Sequence, residues 1–124
     1  MMTELYEKLD QLLADGALDE LESLVYEASD ALASDAAAMH NSGDYHGAVE
    51  NFRRIIELMR RYYDESDDFA DIKLSISEIY SYLGDNDSAV KELSEAITIM
   101  TKKLGASHPS VKEAYAKLRL LLSK

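Results

Sequence analysis

The chain contains no cysteine and a single proline in 124 residues. Lack of cysteine excludes a disulfide framework, a thiolate metal site and a thiol nucleophile. One proline and five glycines leave the backbone few interruptions, and alternating runs of β-branched residues are missing. Both features fit helices and argue against sheet. No apolar run approaches the roughly 20 residues of a membrane-spanning helix. The start, "MMTELYEKLD", is acidic and has no apolar core, so a secretory leader is not expected and a cytoplasmic location is. Basic residues are also scarce, 13 against 24 acids, for a formal charge of -11. The deficit is uneven: residues 1–42 carry ten acids against Lys8 alone, residues 43–83 nine against five, and residues 84–124 five against seven. An acidic surface repels nucleic acid and anionic lipid and attracts basic partners, so neither nucleic acid nor membrane is expected.

What is present is helical period along nearly the whole chain. A first helix from about Glu4, capped by Thr3, buries Leu5, Leu9, Leu12 and Leu13 and stops at Asp15-Gly16. Residues 17–42 contain neither glycine nor proline after Ala17, and Leu21, Val25, Ala28, Leu32, Ala36 and Met39 form one stripe. One long helix of about 24 residues is expected there. Asp44 caps a helix from Tyr45 to Asp64 that buries Ala48, Phe52, Ile55, Ile56 and Met59. The acidic run "DESDD" (64–68) starts the next helix, which buries Phe69, Ile72, Ile76, Ile79, Tyr80 and Leu83. A fifth helix from Asp87 to Lys103 buries Ala89, Leu93, Ala96, Ile97 and Met100. Ser107 and Pro109 open the last helix, with Val111, Ala114, Tyr115, Leu118, Leu121 and Leu122 inside.

Two phrases recur. "GDYHGAVENF" begins at Gly43 and "GDNDSAVKEL" at Gly84, 41 residues apart. The apolar stripe of the fourth helix also reappears in the sixth, displaced by 42. An internal repeat of helical hairpins is the signature of a solenoid. "GDYHGAVENFRRIIEL" and "GDNDSAVKELSEAITI" resemble the turn and second helix of a tetratricopeptide repeat (TPR). With "TKKLGASHPSV" after the second copy, the chain is similar to the long repeats of the kinesin-light-chain type. The resemblance implies an all-α superhelix of about six helices in a single domain over 1–124. A degenerate hairpin start would occupy 2–28, repeats 29–68 and 69–107, and a capping helix 108–124. Lys73 and Asp35 depart from the pattern at apolar positions.

The resemblance further implies non-catalytic protein binding on a concave face lined by the first helix of each hairpin. Transferred to this chain, that face holds Ala33, Ala37 and Asn41, then Leu74, Glu78 and Tyr82, then Ala116, Leu120 and Lys124. Leu74 and Leu120 fall off the buried stripes, and Asp30, Asp71 and Glu113 follow one edge. A basic or amphipathic peptide or helix fits such a face. A clamp for a peptide carboxylate does not, because Ala33, Ala37, Leu74 and Glu78 replace cations.

Two other readings compete. A small acidic TPR chaperone for a secreted or assembling client matches in size and charge. Arg53, Arg54, Arg60 and Arg61 could hold RNA or phosphate, although pairing with Glu50 and Glu57 at helical spacing accounts for them. An enzyme is not expected. His40, His46 and His108 lack metal-ligand spacing, "DESDD" and "DNDS" lack a calcium-loop pattern, and no phosphate loop, nucleophile or cofactor motif occurs. The charge gradient between the two ends suggests a head-to-tail or swapped homodimer, while polar residues at both ends suggest a self-contained domain.

Overall fold

The computed structural model describes residues 2–63 and 67–124, and six helices make up almost all of them. They are α1 (Met2–Ala14), α2 (Leu18–Asn41), α3 (Tyr45–Tyr62), α4 (Asp67–Tyr82), α5 (Asn86–Leu104) and α6 (Pro109–Leu122). No strand occurs among the described residues. The most extensive helix pairs are α4 with α5 and α2 with α3; α6 packs chiefly on α5, and α1 lies more lightly on α2. The chain is thus a row of antiparallel hairpins.

The repeated phrase is a repeated joint. At each copy a glycine has φ of +88° (Gly43) or +79° (Gly84), a left-handed conformation that costs residues with a Cβ. The aspartate that follows then caps the next helix. Asp44 Oδ1 accepts from the Gly47 N–H at 3.0 Å, and Asp85 Oδ1 accepts from the Ser88 N–H at 3.2 Å. The side chain of Asp85 also accepts from the Ser88 hydroxyl, and these bonds hold its carboxyl below the usual range. Ala48 and Ala89, one turn inside each helix, are fully buried where the paired helices meet.

As expected, α2 runs unbroken for 24 residues. Several local expectations need correction. Thr3 lies inside α1 and is not its cap. The cap of α6 is His108, not Ser107: its Nδ1 accepts from the Ser110 N–H at 3.1 Å. The chain leaves α3 at Tyr63, which is extended. Leu13, Leu83, Tyr115 and Leu122, expected inside, are exposed. The acidic start expected from 64–68 rests on side chains outside the described ones.

Two apolar clusters hold the row together. The larger joins α2 to α6 through residues such as Ala36, Ile55, Phe69, Ile76, Leu93 and Val111. The smaller is built on Leu9, Leu21, Val25 and Leu58, ringed by Tyr6, Tyr62 and Tyr63. It ties α1 to the far end of α3. There Arg61 lies 4.6 Å over the Tyr6 ring and binds Asp10 at 2.6 Å, while the Tyr62 hydroxyl donates to Asp10 at 2.7 Å.

Among the described residues, charge is buried at one place. Lys73 is 5% exposed and Glu92 2%. Lys73 Nζ meets Glu92 at 3.4 Å and also binds Glu95, while Arg53 donates to Glu92 at 2.7 Å and to the Tyr80 hydroxyl at 3.2 Å. Lys73 therefore departs from an apolar pattern because α5 supplies carboxylates opposite it.

Candidate functional site

Helix α4 turns Leu74 and Glu78 toward α6, which presents Lys117 and Leu120, with Lys124 just beyond its end. Between the helices lies a trough of about 310 Å³, floored by Leu93 and Leu121. Ser75, Ser77 and Ser81 add hydroxyls to its α4 wall. A second hollow of about 460 Å³ continues from it, sharing Leu74 and Lys117 and adding Asp71, Met100, Leu104 and Glu113. Asp71, Leu74, Glu78, Glu113 and Leu120 therefore meet around one continuous surface.

The remaining candidates lie elsewhere. Asp30, Ala33, Ala37 and Asn41 on α2 do not line the trough, and neither does Ala116. Ala33 is half-buried against the larger core. Tyr82 is exposed and belongs to an aromatic cluster, its ring centre 5.8 Å from His40 and 6.1 Å from Tyr45. Its hydroxyl donates to Glu78 at 3.1 Å, a bond that pushes its pKa up. Leu74 is also less free than its register suggested, being half-buried against the core. Leu120 is 66% exposed.

Sequence reading put Lys124 on this face but missed Lys117. Lys117 and Lys124 stand among Asp71, Glu78 and Glu113, so the rim is mixed in sign. The spacing 113, 117, 120 places Glu113, Lys117 and Leu120 on one side of α6, and that signal was available.

The arginine cluster is engaged. Arg54 binds Glu50 at 2.9 Å as expected, but Glu57 is not the partner of the others. Arg53 and Arg61 reach across to Glu92 and Asp10, and Arg60 lies 5.8 Å from the Phe69 ring centre. Three of these four guanidinium groups thus already hold a carboxylate, which weighs against an RNA or phosphate site. Among the described residues no cluster of histidine, aspartate and glutamate is arranged to hold a metal ion. No helix of the described residues is long and apolar enough to cross a membrane.

No protein-family model and no curated protein matches the chain. Solved structures do. BtubC (BKLC) from P. vanneervenii superposes with a TM-score of 0.69 at 20% identity, over 98% of this chain and 54% of that one. A Podosopora anserina putative kinesin light chain with nearly identical TPR-like repeats superposes with a TM-score of 0.62 at 18% identity, over 98% and 65%. The chain thus spans about half the length of the first and two-thirds that of the second, and its fold is that of TPR-like helical repeats.

Proposed function

We propose that this TPR-like array is a non-catalytic protein-binding module whose ligand lies in the trough between α4 and α6. The observation that carries the reading is the pairing of Leu74 and Leu120. Two leucines from different helices flank one apolar floor, within reach of carboxylates and lysines on the rim. Such a surface suits an amphipathic segment with apolar anchors. Cations on that segment would meet Asp71, Glu78 and Glu113, and the gap between them would pass Lys117. Leu120 is the anchor contact, because burying an exposed leucine contributes about 2 kcal/mol.

Peptides selected from a random display library on the wild-type chain test this. They should carry apolar residues with neighbouring Lys or Arg, and bind about tenfold more weakly to Leu120→Arg and to Glu78→Lys. Both positions are exposed, so both variants should keep the wild-type circular dichroism. Peptides that bind all three proteins equally would show that the trough is not the site.

A further inference from the structure

The offset of 42 residues pairs Phe69, Ile72, Ile76 and Ile79 of α4 with Val111, Ala114, Leu118 and Leu121 of α6. All eight are buried or half-buried. The adjoining arc of the two helices is treated differently. On α4 that arc is Ala70, Lys73 and Ser77, all buried. Helix α5 lies on it: Lys73 reaches Glu92 and Glu95, and the Ser77 hydroxyl donates to the Ala89 carbonyl at 2.7 Å. On α6 the same arc is Lys112, Tyr115 and Arg119, all exposed. Tyr115 is 43% exposed, and Leu122, the counterpart of half-buried Tyr80, is 64% exposed. This side of α6 corresponds to the surface on which α4 seats a whole helix.

What suits that surface is visible in α5. Its inner side has small residues at Ala89 and Ala96, apolar Leu93 and Ile97, and carboxylates at Glu92 and Glu95 facing a cation. The arc on α6 holds two cations where α4 holds one. We infer that this side of α6 docks an amphipathic helix of another protein, with carboxylates to meet Lys112 and Arg119 and apolar residues to cover Tyr115 and Leu122. A second α6 fits poorly, since Lys112, Lys117 and Arg119 against Glu113 alone would bring like charges together. The outer side of α1 fits poorly too: Glu4, Glu7 and Gln11 offer nothing apolar to Tyr115 or Leu122. The site is separate from the trough, because Lys117 and Leu120 lie on the other side of the helix.

A fluorescein-labelled peptide of residues 85–101, which carries the inner side of α5, serves as the probe. Fluorescence anisotropy against the full chain should show saturable binding, weakened about tenfold by Arg119→Glu and unchanged by Leu120→Arg. A peptide with Glu92→Lys and Glu95→Lys should bind the wild type poorly and recover on the Lys112→Glu, Arg119→Glu protein. The altered side chains are exposed, so circular dichroism should be unchanged. Absence of saturable binding, or equal binding to the Arg119→Glu protein, would overturn the inference. So would a dimer in light scattering that becomes a monomer on Tyr115→Glu, which would make the occupant a second copy.

Discussion

Removing both carboxylates that hold Lys73, by Glu92→Gln and Glu95→Gln, leaves a nearly inaccessible ammonium group without either partner. Breaking a buried ion pair from one side costs about 3–5 kcal/mol, because the surviving charge keeps its desolvation penalty. The two acids contribute unequally. The Glu95 side chain is 40% exposed, so its removal alone should cost under about 1 kcal/mol. Glu92 is nearly inaccessible and receives both Lys73 and Arg53, so its loss alone should cost about 2 kcal/mol. The half-exposed Arg53 can turn to water. With both acids gone Lys73 has lost both bonded carboxylates, and the cost should reach about 4 kcal/mol. For a chain of this size that lowers Tm by about 15 °C.

Adding Lys73→Met tests the cause. Methionine keeps the shape and removes the charge, so the triple variant should return to within about 1 kcal/mol of wild type. Urea unfolding followed by circular dichroism measures all four proteins, with an unchanged slope confirming two-state comparison. A triple variant as unstable as the double would refute the reasoning and put the loss down to packing. Acid unfolding gives a second reading. Hydrogen bonding to Lys73 depresses the Glu95 carboxyl below its ordinary 4.5. A depressed carboxyl contributes stability that is present above the unfolded value and lost as pH falls through the folded one. Lys73→Met alone should therefore flatten the fall in stability below about pH 4.5.

Burial, and then the bond to Asp10, push the Tyr62 hydroxyl up to about 12. Its stabilising contribution is complete below the ordinary tyrosine value of 10 and lost between there and about 12. Tyr6, Tyr63 and Tyr82 are also raised, so ultraviolet difference titration should show a late phase that loses its last-ionising tyrosine in Tyr62→Phe, and an unchanged late phase in that variant would contradict the Asp10 contact. Leu9 is fully buried in the small cluster, so Leu9→Ala should cost about 3 kcal/mol in urea unfolding. A cost below about 1 kcal/mol would mean that α1 is not docked as described.

Local chemistry was legible in the sequence, and long-range pairing was not. Gly43 with Asp44, and Gly84 with Asp85, announce their turns because stop and cap lie within a few residues of each other. The unbroken stripe from Leu21 to Met39 likewise specifies one long helix. Lys73 looked like a defect because its partners lie 19 and 22 residues away, on a helix whose own pattern reads as ordinary. The arginines misled for the same reason: Glu57 was at the right helical spacing, yet Asp10, 51 residues from Arg61, is the partner. Tyr115 and Leu122 were assigned to the interior because period alone cannot say whether a neighbour exists to cover them.

The trough illustrates the same limit. Register along α4 and α6 brought Leu74, Glu78 and Leu120 together on paper, since each helix repeats the other. The α2 row lies apart from them, because α2 bounds neither hollow and Ala33 is drawn into the core. Burial also falls along α6, from fully buried Val111 to half-buried Leu118 and Leu121. Its last turns therefore carry little packing to hold them. Leu120 and Leu122 stand there on opposite sides, one toward the trough and one toward the open arc. Low packing and two exposed leucines at one helix end place unspent burial energy where both proposed partners would meet it.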